Sequence, residues 1–134
     1  MRRGTGTARC SAWATVAQLP PLPIFAGDLA KLTIVPGKKR LKAVALVDNI
    51  PLASAWTNDA GFSSIFVGQV EPWLRAGDVL VGLSVHGGLG KGKTGLWFQN
   101  LLRAVALAKE RTTKVIGFPA STAALSTKWP TFAT

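Results

Sequence analysis

The stretch from Gly77 to Phe118 constrains the fold most, because it reads strand, glycine-rich loop, helix, strand in one run. GDVLVGLS carries apolar residues at successive positions from Val79 to Leu83, the pattern of a parallel strand covered on both faces. VHGGLGKGKTG follows, and then a helix starting near Gly95 whose apolar face is Leu101, Leu102, Val105 and Ala108. KVIGF closes the unit as a second strand. The strand delivers the chain to small residues at its carboxyl end. The helix then opens with N–H groups that have no partner of their own. Unpaired amides and the helix dipole both favour an anion at that point. Phosphate is the expected occupant, either a sugar's or a nucleotide's.

The rest of the chain extends this unit. LKAVALV (Leu41–Val47) predicts a buried strand ending at Asp48-Asn49, which reads as a turn held by side-chain hydrogen bonds. Ile24 to Lys31 predicts one or two helical turns, and Pro36-Gly37 a turn. Phe62, Ile65, Phe66 and Val70 recur at helical spacing, and Pro72 ends or kinks that helix. Ala76-Gly77 turns into strand Asp78 to Leu83, and Val115 to Phe118 follows the last helix. Two consecutive right-handed βαβ crossovers result. Residues 1–23 read as an Arg/Pro leader without a clear fold, ending in LPPLP, and 119–134 as an irregular tail. The folded domain is expected over 24–118.

Composition narrows the partners. Sixteen Lys and Arg against six Asp and Glu give a formal +10, which favours phosphorylated metabolites, nucleic acid or acidic lipid. The basic residues are scattered, so a nucleic-acid footprint is not expected. No apolar run is long enough to span a bilayer, and no membrane partner is expected. One Cys and one His supply no metal cluster, and the lone Cys10 suits a reducing cytoplasm. No metal and no cofactor are called for.

Two readings of the glycine loop compete. Gly87, four residues, then Gly92-Lys93-Thr94 satisfies G-x-x-x-x-G-K-[ST], after a strand and before a helix. On that reading Lys93 reaches the β- and γ-phosphates of a nucleotide and Thr94 holds Mg²⁺. Its difficulty is the missing second carboxylate, since Glu110 is the one acid after Thr94 and falls at a helix end.

The other reading rests on several motifs in order. FAGDLAK at Phe25–Lys31, ALVDN at Ala45–Asn49 and NDAGF at Asn58–Phe62 are followed by IFVGQV at Ile65–Val70 and GDVLVGLS at Gly77–Ser84. NLLRAVALAKE at Asn100–Glu110 and KVIGF at Lys114–Phe118 complete the set. With these the chain resembles the SIS (sugar isomerase) domain family, and within it the phosphoheptose isomerase group. The resemblance implies an α/β fold, a flavodoxin-like parallel sheet sandwiched by helices, assembled as a homo-oligomer. It also implies that the partner is a phosphorylated sugar. The family's S-x-S-G-x-S loop falls on Ser84 to Leu89, where Ser84 and Gly87 match, His86 replaces one hydroxyl and Leu89 removes another. Some members have a VHGG loop, so His86, Gly87 and Gly88 remain candidates, with Lys93 and Thr94 supplying charge and hydrogen bonds.

Isomerising a sugar phosphate between ketose and aldose needs a base that moves a proton between adjacent carbons and an acid near the carbonyl oxygen. In the resembling isomerases a Glu from an early helix and a His from a late one do this, and neither segment is recognisable here. His86, the only imidazole, and Asp59 are the remaining candidates. Asn58-Asp59 reads as a loop after a strand and before a helix, either facing sugar hydroxyls or capping the Phe62 helix. The chain fits the family in its middle and departs at both ends, so the domain is expected to be incomplete at both, as after truncation or a shift of reading frame. A non-catalytic sugar-phosphate sensor or remnant is therefore an alternative to an isomerase, as is the P-loop-type nucleotide-binding protein.

Overall fold

The computed structural model describes residues 11–16, 22–84 and 98–119, with side chains described over 24–84 and 98–118. The elements in chain order are β1 (Ser11–Val16), α1 (Leu22–Lys31), β2 (Lys42–Ala45), α2 (Ile50–Ala60), a 3₁₀ turn (Phe62–Ser64) and α3 (Val67–Val70). Then come β3 (Val79–Ser84), α4 (Gln99–Glu110) and β4 (Lys114–Pro119). The four strands form one sheet in the order β2-β1-β3-β4, and every pair is parallel.

β3 and α4 make the core. Leu80 of β3 and Val115 of β4 are buried in register, and α4 packs over them with Leu101, Ala104, Val105 and Ala108. Those four positions recur at the spacing of one helical face. Phe66, Val70 and Leu74, on and around α3, fill the same cluster. On the opposite face of β3, Val81 is buried against Val47, Val79 and Leu83. β3 is thus apolar on both sides, as a central parallel strand must be.

Chain order sets the position of the helices. The chain leaves β1 for β2 on one side, then recrosses β1 to reach β3 and β4 on the other. With right-handed crossovers, α1 lies on one face of the sheet, and α2, α3 and α4 lie on the other. The direction of strand addition reverses between β1 and β3.

Local chemistry starts and stops these elements. Asn49 caps α2, its Oδ1 accepting from Leu52 N at 3.1 Å, and Pro51 sits in the first turn, where a missing N–H costs nothing. Gly61, at φ 80°, ends α2, and Gly77, at φ 90°, turns the chain into β3. Both dihedrals lie in the region that favours glycine. α4 ends in a Schellman arrangement: Thr113 N donates to Ala108 O at 2.8 Å and Thr112 N to Lys109 O at 3.1 Å. The residue at the left-handed position is Thr112, at φ 56°, where most such motifs carry glycine.

Three features differ from the sequence expectation. Ser11–Val16, expected to be irregular leader, is a strand at the middle of the sheet, because it pairs with β2 on one side and β3 on the other. Ile50–Ala60, with no apolar period, is a helix set by its cap, its proline and its closing glycine. The helix expected from Phe62 to Val70 is a 3₁₀ turn and a separate short helix, with Phe66 and Val70 buried as anticipated.

Candidate functional site

Ser84 is the last residue of β3, so it lies at the carboxyl edge of the sheet beside the end of β1. That is the point where strand addition reverses direction, and open α/β sheets bind their ligands in the crevice that forms there. Ser84 is 0% exposed, and its Oγ has no hydrogen-bond partner among the described residues. Burying an unsatisfied hydroxyl costs about 1–3 kcal/mol.

The next described element also buries a polar side chain. α4 starts after Phe98, which has no side-chain oxygen to cap it. Asn100, in the first turn, is buried, and its Oδ1 accepts from Leu101 N at 2.7 Å. Asn100 was not singled out in the sequence. Its signal is a polar side chain at the start of an otherwise apolar helical face.

Arg103 was also unforeseen. One guanidinium nitrogen donates to Ser63 Oγ at 3.0 Å and to Ser64 Oγ at 2.9 Å. It ties α4 to the 3₁₀ turn that follows α2.

Asn58 and Asp59 do not lie in a loop before a helix, and they do not cap the Phe62 segment. They occupy the last turn of α2 and are exposed, and Gly61 is the residue that precedes the 3₁₀ turn. The physical reason is that α2 runs from the Asn49 cap to Gly61 and takes the pair into its own C-terminal end. α2 begins just beyond the carboxyl end of β2, and Asn58 and Asp59 lie in its last turn. Ten residues of helix span roughly 15 Å. Of Asp48-Asn49, expected as a turn held by side-chain hydrogen bonds, Asn49 is the cap of α2.

His86, Gly87, Gly88, Lys93 and Thr94 lie outside the described residues, and so does the G-x-x-x-x-G-K-[ST] match. No helix among the described residues is long and apolar enough to cross a membrane.

No protein-family model matches the chain. Among curated proteins, a lincomycin biosynthesis protein (LmbN) of Streptomyces lincolnensis is 49% identical over 92 residues, covering 69% of this chain and 32% of that protein. A phosphoheptose isomerase of Geobacter sulfurreducens is 38% identical over 80 residues, 60% of this chain and 38% of that one. The chain thus spans about a third of the length of the curated relatives it matches. Among solved structures, phosphoheptose isomerase from Neisseria gonorrhoeae superposes with a TM-score of 0.64 at 28% identity, covering 89% of this chain and 59% of that one. A phosphoheptose isomerase from Francisella tularensis gives the same TM-score at 23% identity, covering 85% and 56%. In the part that it shares with them, the chain is a homologue of the phosphoheptose isomerases and has their sugar isomerase fold.

Proposed function

We propose that this protein binds a phosphorylated sugar at the carboxyl edge of β3, in a site related to the aldose–ketose isomerisation of sedoheptulose 7-phosphate. The observation that carries the reading is Ser84, fully buried at the point of strand reversal with no partner for its Oγ among the described residues. A phosphate oxygen is the acceptor its hydroxyl lacks. Homology to phosphoheptose isomerases supports a sugar phosphate over a nucleotide. The glycine loop supplies backbone amides on this reading, with His86, Gly87 and Gly88 against the phosphate and Lys93 and Thr94 adding charge and hydrogen bonds.

Catalysis asks more. The proton transfer needs a base and an acid on one substrate, and Asp59 and His86 are the groups proposed for them. Asn58 and Asp59 are carried in the last turn of α2, roughly a helix length from its start beyond β2. They would reach the sugar held by Ser84 from a second copy of the chain. A homo-oligomer with sites shared between copies follows from this reading, and a monomer would bind without turning over.

Calorimetric titration of the full chain with sedoheptulose 7-phosphate, and separately with ATP and Mg²⁺, tests the binding. Saturable heat with the sugar phosphate alone supports it. Saturable heat with ATP, lost in Lys93→Ala, would replace it with the nucleotide reading.

A further inference from the structure

We propose that the connection from α1 to β2 is a docking surface for an anionic lipid bilayer. Residues 31–40 are all exposed. Leu32 is 73%, Val35 54% and Ile34 48% exposed, three aliphatic side chains presented by one short loop. Lys31, Lys38, Lys39, Arg40 and Lys42 flank them in the sequence, and no acid occurs between Asp28 and Asp48.

The loop is built rather than loose. Leu32 N donates to Asp28 O at 2.7 Å and Thr33 Oγ1 to Leu29 O at 2.5 Å, which continue the end of α1. Lys38 N donates to Val35 O at 3.1 Å, closing a turn around Gly37 at φ 76°. Arg40 reaches back to Ala30 O at 3.4 Å. Aliphatic and basic groups are therefore carried on one exposed, hydrogen-bonded connection.

Charge complementarity and apolar exposure select the occupant. Basic side chains near an anionic leaflet and aliphatic side chains that enter it are the two signals that hold a peripheral protein at a membrane. A single strand of nucleic acid is gripped instead by aromatic stacking, and the loop has no aromatic residue. Docking of this kind needs no membrane-spanning helix. The loop ends where β2 begins, at the amino edge of the sheet, while Ser84 lies at the carboxyl edge. A chain docked by this loop keeps the candidate site turned away from the bilayer.

Co-sedimentation of the full chain with vesicles tests this. Vesicles of phosphatidylcholine mixed with phosphatidylglycerol should bind the protein, vesicles of phosphatidylcholine alone should not, and added salt should release it. Each lysine near the leaflet contributes about fivefold, so Lys38→Ala with Lys39→Ala should weaken binding roughly 30-fold. Leu32→Ser with Ile34→Ser should release the protein at lower salt. All four residues are exposed, so both variants should melt like the parent. Equal binding to both vesicle types, or binding unchanged in both variants, would overturn the proposal. So would retention of single-stranded RNA, or association of the chain with itself, that these variants abolish in the absence of vesicle binding.

Discussion

Replacing Ser84 by alanine separates stability from binding. In the ligand-free protein the Ser84 hydroxyl is fully buried without a partner among the described residues. A group in that state costs about 1–3 kcal/mol, so Ser84→Ala should raise the stability of the free protein by about 1 kcal/mol. For a chain of this size that is a melting shift of about 3–5 °C upward. Binding should move the other way. A hydrogen bond to a charged acceptor is worth about 1.5–3 kcal/mol, so losing it should weaken sedoheptulose 7-phosphate about 10- to 150-fold. At a concentration about a hundred times the parent's Kd, the parent gains roughly 2.7 kcal/mol from ligand, and a variant weakened about 30-fold gains roughly 0.9. The assay is a thermal melt of both proteins with and without the sugar phosphate. A variant that melts lower than the parent when free, yet gains as much from ligand, would refute the reasoning and make Ser84 a structural residue.

Other predictions concern the fold that presents the site. A Cβ at Gly68 would lie 2.4–2.6 Å from the indole atoms of Trp56, so Gly68→Ala should destabilise by about 1–3 kcal/mol although alanine is the better helix former. Shrinking the ring with Trp56→Leu in the same chain should recover part of the loss in denaturant melts. Thr112→Gly should stabilise by about 1 kcal/mol, because it removes a β-branched side chain from the left-handed position after α4. Chemical denaturation reads this as a higher midpoint with an unchanged slope. Arg111→Ala should cost about 1–2 kcal/mol, since its guanidinium donates to Glu71 O and Leu74 O and holds the end of α3 against the end of α4.

The parts of the fold legible in the sequence are those whose residues are buried on a regular period. β3 showed itself by apolar residues at every position from Val79 to Leu83, and α4 by Leu101, Val105 and Ala108. β1 did not, because Ser11–Val16 becomes a strand through partners far along the chain rather than through a pattern of its own. α2 did not, because none of its eleven residues is buried, leaving the Asn49 cap, Pro51 and Gly61 as its only signals. The same oversight misplaced Asn58 and Asp59 in a loop. Ser84 was legible from its position, at the end of an apolar run and the start of a glycine loop. Its missing partner was not, because that is a property of packing. Arg103 acts through contacts with Ser63 and Ser64, far along the chain, that no local spacing announces.

The most direct test of the central claim is a thermal melt of the full chain, alone and with excess sedoheptulose 7-phosphate. A sugar phosphate held at the carboxyl edge of β3 binds only the folded chain. At about a hundred times its Kd, it should raise stability by roughly 2.7 kcal/mol. A cooperative melt that does not move with the sugar phosphate would contradict the claim.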